Sequence, residues 1–282
     1  MKITFNNTSN TAYEAMFNDL IQEVFGFSFA PWFECKPWDN NYESYSVIED
    51  SQMLSNVCIF KSELLINGEK TPAIQFGAVA TRKSARGRGL SRYLMAHVLS
   101  LYPNTPAYLF ANAGVVNFYP KFGFHQVQTY NPEIQATINN ASITAVKCNL
   151  DDAILQNAIS NRNTYSNLVD CTNSQSIQMF HLMMSYANDI YYLPHSKVIV
   201  IATKKGDRLF IADIIAQQPL TFDTLAAELP FTGIHTIAFG FNPDWLGISP
   251  TWKPTNMKTD PFFIKGDWKL PEKFCIPITS TT

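Results

Sequence analysis

Ala73-Ile74-Gln75-Phe76-Gly77-Ala78-Val79-Ala80-Thr81-Arg82-Lys83-Ser84-Ala85-Arg86-Gly87-Arg88-Gly89-Leu90-Ser91 is the stretch from which the rest of the chain is read. Its first nine residues form an apolar strand candidate, Arg82 to Gly89 a basic loop ending in glycines, and Leu90 to Leu101 a helix burying Leu90, Leu94, Val98 and Leu101 on one face. Two glycines directly before a helix leave successive backbone N–H groups unhindered, and the positive end of the helix dipole adds to them. Together they suit a diphosphate. A Gly-x-Gly before a helix is also a common tight turn, so the loop alone does not decide between binding and turning.

Beyond the helix come a strand at Ala107 to Ala111 and a short helix ending in Phe118-Tyr119-Pro120-Lys121-Phe122-Gly123-Phe124. The order of parts resembles the GNAT superfamily of acetyl-CoA-dependent N-acetyltransferases. Arg86, Gly89 and Ser91 hold the places of its Gln/Arg-x-x-Gly-x-Gly/Ala loop, with Ser91 departing from the usual Gly or Ala. Asn112, Tyr119, Gly123 and Phe124 match its Asn-x-x-x-x-x-x-Tyr-x-x-x-Gly-Phe segment. The run from Val79-Ala80-Thr81 through Arg86-Gly87-Arg88-Gly89 looks most like the enhanced-intracellular-survival branch. The resemblance implies acetyl-CoA as cosubstrate, with its diphosphate held by Arg86, Gly87, Arg88, Gly89, Leu90 and Ser91 and its pantetheine arm paired with Val79, Ala80 and Thr81. It carries Asn112 to the cofactor side and makes Tyr119 the acid that protonates the departing thiolate. No metal is implied.

Working outward, Lys2 to Asn6 reads as a strand. A helix follows with apolar residues at Ala12, Met16, Leu20 and Val24, stopped by Gly26. Phe25 to Tyr45 then gathers Phe25, Phe27, Phe29, Trp32, Phe33, Trp38, Tyr42 and Tyr45, which is either an acceptor pocket, as the resemblance implies, or a hydrophobic cluster under a loop. Tyr45 to Asp50, Met53 to Ile66 and Thr71 to Thr81 form an antiparallel meander turning at Asn67-Gly68, and Phe124 to Tyr130 and Ser142 to Leu150 add strand candidates.

Asp151 to Asn173 is polar and lacks strand alternation, so the domain boundary is set there: 1–150 as the acetyltransferase domain and 151–282 as a second. The second contributes a helix at Ser176 to Asn188, strands at Lys197 to Thr203 and Leu209 to Ala216, a helix at Phe222 to Leu229 and a strand at Ile234 to Phe241. This order weakly echoes the first half. The expected fold is α/β (α+β): a GNAT fold whose central mixed, mostly antiparallel sheet is flanked by helices, followed by a smaller, incomplete GNAT-like α/β unit. No second Gly-x-Gly leads into a helix there, so one acetyl-CoA per chain is expected.

A chain of 282 residues suits two packed domains. With 21 Lys+Arg against 23 Asp+Glu, nothing global attracts nucleic acid or an anionic membrane. Cys35, Cys58, Cys148, Cys171 and Cys275 are scattered, so neither a disulfide framework nor a zinc site is indicated. No signal-length or membrane-length apolar run occurs, and a soluble, cytoplasmic protein is expected, with a homo-oligomer left open.

The expected activity is direct attack of a primary amine, on a small molecule or peptide, on the acetyl thioester. The rival reading is a non-catalytic acyl-CoA-binding or regulatory module. Glu34, Asp39, Glu43, Glu49, Asp50 and Glu63 are candidate bases that spacing does not separate, and the named branch points instead to Thr282. His97, His125, His181, His195 and His235 are isolated and read as surface or satisfied core residues.

Overall fold

The computed structural model describes residues 2–34, 40–139, 141–259 and 261–282. The first half runs β1 (Thr4–Asn6), α1 (Thr11–Phe25), α2 (Ala30–Glu34), β2 (Tyr42–Glu49), β3 (Gln52–Ile66), β4 (Glu69–Thr81), α3 (Leu90–Leu101), β5 (Ala107–Phe110) and β6 (His125–Val127). The Asn10 side chain caps α1 by accepting from Tyr13 N at 3.0 Å, an interaction of about 1 kcal/mol, and Gly26 ends it at φ 80°. Asn67 and Gly68 both lie at positive φ (51° and 77°), the mirror-image turn that matches the twist of the long β3–β4 hairpin.

The chain continues through β7 (Tyr130–Ile138), β8 (Val146–Lys147), α4 (Ala153–Ser160), β9 (Val169–Cys171), α5 (Gln175–His181), β10 (Ile190–Leu193), β11 (Val198–Lys205), β12 (Arg208–Ile215), α6 (Phe222–Glu228), β13 (Ile234–Phe239), β14 (Thr251–Pro254) and β15 (Phe262–Lys265).

These strands form two mixed, mostly antiparallel sheets. The first is ordered β1-β2-β3-β4-β5-β15-β6, with β9 pairing β3, and the second β14-β7-β13-β12-β11-β10-β8. Each contains one parallel contact among the paired strands, β4 with β5 across α3 and β12 with β13 across α6. The first sheet is covered on one face by Phe17, Leu20 and Ile21 of α1 and on the other by Leu90, Leu94 and Val98 of α3. The second is covered by Leu225 of α6 on one face and by Leu155 and Ile159 of α4 on the other. The halves also trade strands: β15, from the end of the chain, lies between β5 and β6, while β7 crosses over to lie between β13 and β14.

Several sequence expectations shift. The change of sheet falls between Val127 and Tyr130, ahead of the expected division at 150. The strand expected to Tyr130 stops at Val127, and Tyr130–Ile138 is a new strand of the other sheet. Only Val146–Lys147 of Ser142 to Leu150 is extended. The helix expected before Phe124 is two 3-10 turns, Ala113–Val115 and Tyr119–Phe122, because Pro120 and Gly114 interrupt any longer helix. The helix from Ser176 is α only through His181 and continues as a π turn over Leu182–Tyr186. Cys35, Trp38 and Asp39 lie outside the described residues. Cys58, Cys148, Cys171 and Cys275 are free and buried, and no helix among the described residues is long and apolar enough to cross a membrane.

Because β15 supplies the strand between β5 and β6, a fragment ending at residue 150 leaves both with an unpaired edge. Such a fragment is expected to lack the cooperative thermal transition of the full chain, read by circular dichroism. A sharp two-state melt of the fragment would show that the exchanged strand is dispensable.

Candidate active site

β4 and β5 pair only at Ile74–Ala107 and Gln75–Tyr108, then part. The rest of β4, Phe76 to Thr81, has its β5-facing edge unpaired and borders a wedge. The β3–β4 ladder slips between Asn56 and Cys58, so β4 carries a bulge, with Ala78 at φ 46°. A buried polar chain fixes that bulge. Tyr13 of α1 lies 2.7 and 2.5 Å from the hydroxyls of Ser44 and Ser46, both of which donate to Asn56 Oδ1 (2.7 and 2.8 Å), and Asn56 Nδ2 donates to Ala78 O at 3.1 Å.

The loop after β4 is held at both ends. Arg82 is buried and binds Glu23 (2.6 Å) and Asp19 (2.5 Å) of α1, so its charge is spent inside the protein. Arg88 pairs with Glu49 at the surface. Gly87 and Gly89 sit at φ 81° and 76°, and a Cβ at either would meet nothing within 4 Å, so the backbone conformation and not space demands glycine. Ser91 Oγ lies 2.5 Å from Thr81 Oγ1, which in turn lies 2.8 Å from Ser55 Oγ. The serine that departs from the family's small residue thus ties the end of β4 to the start of α3.

The wedge opens into a cavity of about 810 Å³. Val79, Thr81, Arg86, Ser91, Asn112 and Tyr119 line it. Tyr119 is 5% exposed, and burial pushes its phenol up to about 12. Ala80 and Leu90 face the core instead, and Gly87, Arg88 and Gly89 form the loop outside the lining. Away from the loop the wall becomes aromatic: Phe25, Phe27, Phe29, Trp32, Tyr42 and Phe180. Phe180 comes from α5 in the second half and stacks on Phe29 with centroids 4.9 Å apart.

The second half also delivers the end of the chain. The Asp213 carboxylate accepts from Arg162 (2.6 Å), Gln178 (2.7 Å), Ile214 N (2.8 Å) and Thr279 Oγ1. His181, half-buried and pushed below its ordinary pKa by desolvation, donates from Nε2 to Thr281 O at 2.6 Å. Gln75, with its amide turned to satisfy both ends, donates to Ser280 O (3.2 Å) and accepts from Thr282 N (2.9 Å). Thr282 thereby lines the cavity, packed so tightly on Gly77 that a Cβ there would lie 2.5 Å from its Oγ1.

None of the described acidic candidates, Glu34, Glu43, Glu49, Asp50 and Glu63, lines the cavity. Glu43 accepts from Tyr45, Tyr102 and Lys61, and these bonds hold its pKa down against burial; Glu63 binds Lys70 and Thr172. Among the described residues no group of His, Cys, Asp and Glu could hold a metal. Sequence reasoning missed Asn56, Gln75 and Phe180. Asn56 and Gln75 left one signal, polar residues inside otherwise apolar strands.

A parallel pair that splays beside a bulge, a glycine loop capping the helix between them, and a tyrosine across the opening define an acyltransferase of the GNAT fold. Residues 7–127 match the family model of the acetyltransferase (GNAT) domain. No curated protein matches the sequence. Among solved structures, a conserved protein of unknown function from Enterococcus faecalis superposes with a TM-score of 0.59 at 16% identity, covering 94% of this chain and 72% of that one. Eis1 from Mycobacterium abscessus gives 0.56 at 12%, covering 94% and 73%. A GCN5-related N-acetyltransferase from Kribbella flavida gives 0.53 at 13%, covering 93% and 70%. At these identities the likeness is one of fold, and it extends through both halves.

Valine at Gly87 and Gly89 puts branched side chains at positive φ and distorts the loop. The double variant is expected to lose the rise in melting temperature that acetyl-CoA gives the parent chain. An undiminished rise would place the ligand elsewhere.

Proposed function

We propose that the chain transfers the acetyl group of acetyl-CoA to a primary amine by direct attack. The observation that carries this reading is that Val79, the two ends of the glycine loop, Arg86 and Ser91, and Tyr119 meet in one cavity. The loop's N–H groups and the first turn of α3 hold the diphosphate, and the open edge of β4 pairs with the pantetheine arm. Asn56 holds the Ala78 carbonyl. The Val79 N–H, on the same planar trans peptide, therefore points away from β3 and serves as donor to the thioester oxygen.

The nitrogen–carbon bond forms as the amine attacks, the carbon–sulfur bond breaks, and the thiolate takes the proton of Tyr119. At a pKa of about 12 the phenol stays protonated at physiological pH and is always available as a donor. The proton lost by the amine leaves to solvent. Thr282 stands where the resemblance places the group that assists this loss. The lack of a carboxylate side chain among the described lining residues favours the second reading, a module that binds acyl-CoA without turning it over. Thiol release across a panel of amines separates the two.

Tyr119→Phe is expected to keep the acetyl-CoA-induced thermal shift and lower kcat by roughly ten- to ten-thousandfold. Wild-type turnover under chemistry-limited conditions would make Tyr119 a packing residue. Gly77→Ala, whose Cβ would displace Thr282, is expected to lower kcat/KM by about a hundredfold with acetyl-CoA binding retained. An unchanged kcat/KM would remove Thr282 from the reaction.

A further inference from the structure

We infer that the acceptor is a primary amine carried on an apolar, aromatic body, and not a polycation. This rests on the acetyl-transfer reading above. With the diphosphate at the Arg86–Ser91 end, the space left beyond Tyr119 is the aromatic end of the cavity, built by α1, α2, β2 and α5. Phe27 stands at its rim, half-open to solvent, while Phe29, Trp32 and Tyr42 are buried. The rings lock one another: Phe29 stacks on Phe180, and Trp32 meets Phe29, Tyr42 and Phe180 edge to face at 5.7, 5.5 and 6.0 Å. Such a wall is rigid and offers a flat ring both faces and edges to stack on.

The charge of the cavity points the same way. Among the described residues that line it the only charged side chain is Arg86, and no Asp or Glu is present. A polycation entering would strip water from several ammonium groups, and no carboxylate side chain among the described lining residues receives them. An amine bearing one nitrogen and one ring loses little. Its ring replaces water against phenyl faces, and its single nitrogen is brought to the thioester beside Val79 and Thr282.

The same wall supplies part of the chemistry. Desolvation disfavours the charged form of an amine and lowers its pKa, so an apolar lobe raises the fraction of neutral nucleophile without a carboxylate base. The aromatic wall and Thr282 then act together: loss of water biases the amine toward its neutral form, and Thr282 assists the proton that remains to be lost.

The test measures thiol release by the full chain with acetyl-CoA and four probes: 2-phenylethylamine, tryptamine, spermidine and trilysine. The two arylalkylamines are expected to exceed the two polycations in kcat/KM by about tenfold or more. Phe180→Glu and, at the more exposed rim, Phe27→Glu are expected to narrow or invert that ratio, with the acetyl-CoA thermal shift confirming that each variant is folded. Turnover of spermidine or trilysine equal to or above that of the arylalkylamines overturns this inference and leaves the transfer reading standing. Faster turnover with hexanoyl-CoA than with acetyl-CoA overturns it differently, by assigning the aromatic lobe to the acyl chain. No thiol release with any amine, while acetyl-CoA still raises the melting temperature, overturns the transfer reading and this inference with it.

Discussion

The molecule is arranged around the parting of β4 and β5 after only two paired positions. Backbone N–H and C=O groups on a strand edge need partners, so an edge left open within a sheet is costly unless something is meant to occupy it. The second sheet shows the alternative. There β12 and β13 pair at four positions, and Ile278 seals the end of the contact, its N–H bonded to Gly240 O at 2.8 Å and its methyl packed where a Cβ at Gly240 would fall. One opening is plugged by Ile278, and the other leads into the cavity that Thr282 lines. The turn from β12 into α6, Ala216-Gln217-Gln218-Pro219-Leu220-Thr221, also contains no glycine.

Two buried polar systems keep the open wedge in shape, one from each half. Asn56 spends its acceptor on two serine hydroxyls and a donor on Ala78 O, so the bulge is set by side chains that do not touch the cavity. Asp213 works at longer range. Four donors converge on its carboxylate, among them Arg162, which is itself buried. Removing one partner of such a pair typically costs about 3–5 kcal/mol because the other charge is stranded. Asp170, 3.4 Å from the same guanidinium, is the weaker partner, and burial outweighs that attraction and raises its carboxyl to about 6. The strong half of this network is the half that holds Thr279, and through it the segment ending at Thr282.

Much of the first half was legible because its signals are local. Asn67-Gly68 fixes a hairpin, Gly87 and Gly89 mark the loop, and the stepping of α3 marks its buried face from Leu90 to Val98, although Leu101 is exposed; in α1 only Leu20 of the expected stripe is buried, and Tyr13, Phe17 and Ile21 make the rest of the buried face. The wedge residues followed from motif positions. What stayed hidden is set by long-range pairing. Phe262–Lys265 reads as a short apolar run that no neighbour identifies as the strand between β5 and β6, and Pro132 masks Tyr130–Ile138, tolerated because the β13 ladder stops at Glu133 and leaves Pro132 opposite β14 alone. Of the two readings of the aromatic segment, the hydrophobic cluster describes Phe29, Trp32 and Tyr42, which belong to the core and also line the cavity. The contribution of Phe180 was invisible because only the fold brings α5 to α2.

The reciprocal exchange of β7 and β15 also sets an order in time. β5 and β6 leave the ribosome well before β15, and at ordinary rates of synthesis the residues between Val127 and Phe262 take about 7–27 seconds to make. Through that interval the first sheet has a gap beside β5, the strand that forms the far wall of the wedge. Phe180 and Thr282 arrive in the same late stretch. The cavity therefore takes its shape only after Phe180, β15 and Thr282 have been made, and a polypeptide truncated before them, however well its glycine loop is formed, lacks part of the cavity wall.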